Sequence, residues 1–164
     1  SFNQPLNAWD VNDVSDMENM FMGATVFNQP LNTWVVSSVN KMLLMFRNAT
    51  AFNQDISGWD VGNVTNMISM FSGATSFNQN LGSWDMSSVT NVSGMFGLTG
   101  GSEAVTLSTS NYDAILIGWA AQTLNSNVTF SGGDSQYSAG TAATARGTLT
   151  GAPNSWTITD GGQV

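Results

Sequence analysis

A 25-residue unit opens at Phe2, Phe27, Phe52 and Phe77, four times over in the first hundred positions. A fixed period of this length constrains the chain more than its composition does. One unit is too short to bury its own apolar face, so neighbouring units must stack and share a core. The architecture this predicts is a solenoid.

Inside the unit, Leu6, Trp9, Val11 and Val14 follow the rhythm of a leucine-rich repeat. It returns as Leu31, Trp34, Val36, Val39, then Ile56, Trp59, Val61, Val64, and finally Leu81, Trp84, Met86, Val89. The alternation around Trp9 and Val11, with Ala8, Asp10 and Asn12 between them, predicts a short parallel strand with its Trp and Val turned inward. Beyond it the apolar spacing changes. Val14, Met17, Met20 and Phe21, like Val64, Met67, Met70 and Phe71, mark one stripe of a short helix, for which Asn12, Ser37, Asn63 or Ser88 can supply the cap. Gly23-Ala24, Asn48-Ala49 and Gly73-Ala74 then turn the chain back. The expected fold class is an α/β repeat solenoid, a right-handed leucine-rich-repeat-like coil with one short parallel strand and one short helix per repeat, closed by an α/β C-terminal cap.

Residues 1–100 are assigned to the four-coil solenoid and 101–164 to the capping segment. In the latter the 25-residue pattern is lost. Ser110 with Asp113 forms a capping-box variant ahead of a helix carrying Tyr112, Ile115, Leu116, Trp119 and Leu124. A strand at Val128 to Phe130, a Gly132-Gly133 turn, a helix around Ala142 to Leu149 and a strand at Trp156 to Thr159 follow. Such a cap keeps Trp84, Met86 and Phe96 from water and covers a parallel edge. At the other end Ser1 leads straight into a repeat, and the expectation is that further coils precede it and that an uncapped apolar end is exposed there.

The 164 residues include no Cys and no His, and three basic residues stand against eleven acidic ones for a formal charge of −8. Lys41, Arg47 and Arg146 are too few to replace phosphate counterions, which excludes nucleic acid as a partner class. No apolar run approaches the roughly 18 to 20 residues that span a bilayer. Without His or Cys, catalysis would need paired carboxylates, a Ser-Lys pair or a metal, and no such constellation is fixed by the spacing. Asp10 and Asp60, two coils apart, would lie roughly 10 Å from one another, at the upper edge for an inverting glycosidase pair. Neither an enzyme nor a cofactor is expected.

The repeat FNQPLxxWDV…V(T/S)xMxxMFxGA resembles the BspA-like leucine-rich-repeat surface proteins of bacteria. The ending NYDAILIGWAAQTLNSNVTFSGGDSQYSAGTAATAR…WTITDGG is similar to the segment that often follows those repeats. The chain departs from the pattern at Val35 in place of Asp, Val92 in place of Met, and Leu98-Thr99 in place of Gly-Ala. The resemblance implies a secreted or surface-anchored protein that adheres to another cell or to matrix, without binding residues that can be carried over by position. The functional expectation is a non-catalytic adhesion or recognition module for an extracellular protein or glycan. The alternative is a structural spacer with no ligand of its own.

Candidate sites must come from the repeat columns. The Trp9, Trp34, Trp59, Trp84 column and the Met20, Met45, Met70, Met95 column match the interior face and read as core. Asn3, Asn28, Asn53 and Asn78, each followed by Gln, read as stacked amides serving backbone groups of neighbouring coils. Asp10, Asp60 and Asp85 face outward as like charges about 4.8 Å apart per coil, and are read as turn acceptors in preference to calcium ligands. Thr25, Thr50 and Thr75 form a column without the paired row an ice-binding face needs. The second repeat is the outlier. Its Val35, Leu43 and Leu44, with Lys41, Arg47 and the neighbouring Ile68, form an apolar cluster with a charged rim, the candidate partner-binding surface, although Val35 belongs to the strand face; the alternative is that Leu43 and Leu44 lie under a neighbouring domain or turn inward.

Overall fold

The structure, a computed structural model, describes residues 2–164. Ahead of residue 109 it contains neither a helix nor a strand of more than isolated bridges. The strand and the helix expected in each repeat are therefore replaced by something tighter. Successive three-residue turns close between apolar residues: Trp9 N–H donates to Leu6 O, Val14 to Val11, Met20 to Met17, Ala24 to Phe21 and Phe27 to Ala24. In the later repeats the equivalent turns begin and end on buried side chains, such as Leu31 and Trp34, Val36 and Val39, and Met42 and Met45, and this reproduces the i, i+3 spacing of a helical stripe without helical backbone. A helix is ruled out by two left-handed residues per repeat. Asn19, Leu44, Ser69 and Gly94 have φ of 60°, 57°, 50° and 62°, and a second set follows at Gly23, Asn48 and Gly73.

The remaining N–H groups of this segment reach the next repeat. Met17, Asn19, Phe21 and Gly23 donate to the carbonyls of Lys41, Leu43, Met45 and Arg47, and the pattern recurs from the second repeat to the third. Parallel bridges join Asp16 to Lys41, Lys41 to Asn66, and Asn66 to Asn91. The stacking rung thus lies at Asp16, in the stretch expected as helix, and not at Trp9–Val11. Successive repeats lie over one another in register, 25 residues apart.

Side chains repeat with the same register. Phe27, Phe52 and Phe77 stack with ring centroids 6.1 and 6.0 Å apart, and Phe21, Phe46, Phe71 and Phe96 stack beside them at 5.3 to 5.6 Å. Each offset pair is worth roughly 0.5 to 1.5 kcal/mol beyond the area it buries. The Trp column is fastened twice: the Nε1 of Trp34, Trp59 and Trp84 donates to the carbonyl of Leu6, Leu31 and Ile56 in the preceding repeat. Trp9 breaks the expectation of an inward column, being 56% exposed while the other three are buried. Met20, in the Met column, is exposed in the same way, whereas Met45, Met70 and Met95 are buried.

After residue 100 four elements follow: α1 (Thr109–Ala120), β1 (Thr129–Ser131), α2 (Thr141–Thr150) and β2 (Thr157–Thr159). The cap of α1 is Ser108, whose hydroxyl accepts from Asn111 N–H, two residues before the Ser110 expected there. This happens because Ser108 N–H is held by the Asn78 side chain of the fourth repeat, 2.8 Å away. β1 and β2 pair in parallel, Phe130 opposite Ile158. β1 also continues the stack, since Val92 bridges to Phe130 and Phe96 N–H donates to Ser131 O. The whole is a small α/β structure with one continuous apolar core running from Leu6 to Trp156.

Helix α1 stands where a further repeat would. Trp119 Nε1 donates to Leu81 O at 3.0 Å, as Trp34, Trp59 and Trp84 do to the carbonyl one repeat back. Asn111 Nδ2 bonds Asn78 O and Oδ1, the place that Gln29, Gln54 and Gln79 take on earlier asparagines. The fit needs Gly82 and Gly118, because a Cβ on either would collide with the backbone of the other segment.

Candidate functional site

The outward columns mostly engage one another. Oδ1 of Asn3, Asn28 and Asn53 accepts the backbone N–H of the next asparagine in the column at 2.9 to 3.0 Å, and the next Gln donates to the same amide. Asp10, Asp60 and Asp85 accept the N–H two residues on, from Asn12, Gly62 and Ser87. The Ser87 side chain and then its N–H hold the Asp85 carboxyl below its ordinary range. No cluster of three or more acidic, His or Cys side chains able to hold a metal is found among the described residues.

The second-repeat cluster is divided. Val35 is 52% exposed, on the Trp-Val-Val segment. Lys41 sits on the stacking rung and its Nζ lies 3.4 Å from Asp16 Oδ2, an exposed pair. Leu43 and Leu44 are half-buried: Leu43 O accepts from Asn19, and Leu44 N–H donates to Ile68 O at 2.9 Å. Arg47 grips Glu103 with both ends of the guanidinium at 3.0 to 3.1 Å. Ser72 Oγ adds a bond to the same carboxylate at 2.8 Å. Arg47 first and Ser72 next hold the Glu103 carboxyl below its ordinary value.

Arg47 and Ile68 meet in an open cleft of about 420 Å³, lined also by Ser69, Ser93, Gly94 and Leu98. Val35, Lys41, Leu43 and Leu44 are not part of its lining. Its origin is a size gradient along two columns. Leu43 and Leu44 in the second repeat become Ile68 and Ser69 in the third, then Ser93 and Gly94 in the fourth, and the surface hollows as the side chains shrink. The far wall is the loop that follows Gly97. By the repeat pattern Gly73 N–H should find the carbonyl of residue 97, but it bonds Glu103 O at 2.7 Å, so six extra residues loop outward. Gly97 permits this with φ +78°, where a Cβ would strike the Glu103 carbonyl. The loop places Leu98 at the rim, 69% exposed.

Sequence reasoning missed Glu103 and Leu98. The signal was present in the shrinking columns and in Leu98-Thr99 where Gly-Ala was expected, a departure that marks an insertion. A second polar cluster lies in the capping segment. Asp160, almost fully buried, accepts from Arg146 Nε at 2.8 Å and from Tyr112 OH at 2.9 Å, and burial above all pushes the Tyr112 hydroxyl far up. It ties α1, α2 and the end of β2 together.

A family model described as Mycoplasma protein of unknown function, DUF285, matches residues 1–112. The chain belongs to the DUF285 family. The matched span takes in the four DUF285 repeats, the Gly97–Glu103 loop and the first residues of α1, and so the whole of the cleft. No curated protein and no solved structure matches the chain.

Proposed function

We propose that this DUF285 chain is a non-catalytic recognition module of a bacterial cell surface. On this reading it is an adhesin of the BspA-like leucine-rich-repeat type, whose stacked units form part of a right-handed solenoid outside the cell. The observation that carries the reading is the cleft at Arg47 and Ile68. Elsewhere the repeated columns satisfy one another, whereas here the period is broken by the Gly97–Glu103 loop. An apolar rim at Leu98 and Ile68 stands beside serine hydroxyls and an ion pair, the mixture that recognition surfaces use. No aromatic ring lines the cleft for a sugar to stack on, which favours an extracellular protein segment over a glycan.

The test is binding of the labelled chain to arrayed extracellular-matrix proteins and glycans, repeated with Leu98→Asp and Ile68→Asp. A hit weakened tenfold or more in both variants, with melting temperatures unchanged, supports the assignment. A hit that neither variant disturbs removes the cleft from the reading. Silence of a well-folded sample on every feature turns the reading to a structural spacer.

A further inference from the structure

The cleft at Arg47 and Ile68 lies where the stacking pattern leaves a backbone donor without a partner. In the earlier repeats the left-handed residue gives its N–H to the repeat that follows: Asn19 to Leu43 O, Leu44 to Ile68 O and Ser69 to Ser93 O. Gly94, the fourth member of that column, is buried and lines the cleft, yet its N–H has no acceptor among the described residues. The cause is β1. Val92 bridges Phe130 and Phe96 N–H donates to Ser131 O, so two adjacent residues of β1 serve positions four apart in the repeat and offer Gly94 no carbonyl. Most buried N–H groups in folded proteins are paired, because an orphan costs free energy comparable to a lost hydrogen bond.

Other donors in the lining are unpartnered too. Arg47 applies Nε and Nη2 to Glu103, and its Nη1 makes no hydrogen bond among the described residues. Neither do the hydroxyls of Ser69 and Ser102, and Ser69 Oγ lies 3.0 Å from the point where a Cβ on Gly94 would stand. These side-chain atoms reach solvent, since no buried side-chain nitrogen or oxygen among the described residues lacks a partner. Glu103, the one acid in the lining, has both carboxylate oxygens engaged by Arg47, Ser72 and Asn48. The carbonyls of Gly97 and Ser102 accept no backbone N–H among the described residues.

We infer that the cleft reads a carboxylate, the Asp or Glu side chain of an extended segment of an extracellular protein. Arg47 Nη1 and Ser69 Oγ take the carboxylate, a charge-assisted contact of the stronger kind. Gly94 N–H takes a peptide carbonyl beside it, the Gly97 and Ser102 carbonyls receive peptide N–H groups, and Ile68 and Leu98 cover the apolar flank. The call for peptide donors as well as acceptors favours a protein segment over a bare anion. The formal charge of −8 on the whole chain does not bar an acidic ligand, because exposed charges are screened over about 8 Å at physiological salt. The inference rests on the reading of the cleft as a protein-recognition site and names the chemistry that it reads.

The experiment titrates the isotope-labelled chain with two pools of capped pentapeptides, one with Glu at the centre and one with Gln, the flanking positions varied alike. Two-dimensional NMR follows the Gly94 amide and the Arg47 side chain. The Glu pool should shift both signals saturably, with an apparent affinity at least tenfold above that of the Gln pool. Ser69→Gly removes the hydroxyl at a φ of 50° that glycine adopts freely, and should weaken the Glu pool at least fivefold with the rest of the spectrum in place. Equal cleft binding by the two pools would overturn the inference and leave the cleft a protein site. Cleft signals unmoved by both pools would overturn it as well. The array hit and its loss in Leu98→Asp and Ile68→Asp then decide separately whether the reading of the cleft survives. A third arm carries sialylated and sulfated oligosaccharides, and cleft shifts from these alone would overturn the inference in favour of an acidic glycan.

Discussion

At the residue scale, position within the stack decides the worth of a side chain more than its type does. Trp9 and Trp59 hold the same place in the repeat. Trp59 is buried, lies on Trp34 with centroids 6.4 Å apart and donates to Leu31 O at 3.0 Å. Trp59→Ala should cost about 3 to 5 kcal/mol, the cost of a cavity for a large aromatic, and Trp9→Ala less than about 1 kcal/mol. Urea unfolding of the two variants reads the difference, and equal losses would contradict the burial gradient. Leu44 offers the opposite sign. It adopts a left-handed φ of 57° in a column otherwise filled by Asn19, Ser69 and Gly94. Leu44→Asn should stabilise by about 0.5 to 1 kcal/mol, because Asn tolerates that conformation and a branched aliphatic residue does not.

At the scale of the element, the Gly97–Glu103 loop is held on the repeats through one carboxylate. The folded state keeps Glu103 below its ordinary value of 4.5, chiefly through Arg47 and then Ser72. A depressed carboxylate binds its proton more weakly folded than unfolded. Its contribution is therefore complete above pH about 4.5 and is lost as pH falls below that value. Melting temperatures measured from pH 7 downward should show Glu103→Gln lower at neutral pH and converging on the parent chain in acid. A constant offset at all pH values would mean that the ion pair does not anchor the loop. Because the pair is partly solvated, the offset should also shrink in high salt.

For the whole molecule, stacking that contacts only nearest neighbours makes stability graded along the chain. Within residues 2–164 the first repeat bonds a repeat on one side, and the second and third bond repeats on both. Hydrogen exchange should find Met17 and Phe21 N–H less protected, by tenfold or more, than Phe46 and Phe71 N–H, which make the same inter-repeat bonds deeper in the stack. Uniform protection would show that the molecule opens only as one unit. At the other end α1 and β1 seal the fourth repeat, and Phe130 touches Phe96, Tyr112 and Trp119 at once. Phe130→Ala should therefore loosen both the capping segment and the fourth repeat, at a cost of about 3 to 5 kcal/mol by chemical denaturation.

The sequence by itself determined the period, the inward columns of Trp34 and Met45, the Asn and Asp columns as internal acceptors, and β1, α2 and β2 to within a residue or two, while the first capping helix, expected to reach Leu124, ends at Ala120. These follow from burial, which a repeated apolar pattern reports directly. Tertiary structure alone decided how the backbone meets that pattern. A spacing of three suits both a helix and a chain of tight turns, and the choice fell to turns because alternate N–H groups find better partners one repeat away than four residues back. It also decided that α1 replaces a repeat, since nothing local in NYDAILIGW says that Trp119 will reach Leu81 O. The cleft belongs to both levels. Its floor is written in columns that shrink from Leu44 to Gly94, but its wall exists only because Gly73 N–H bonds Glu103 O and the residues between Gly97 and Glu103 are forced outward.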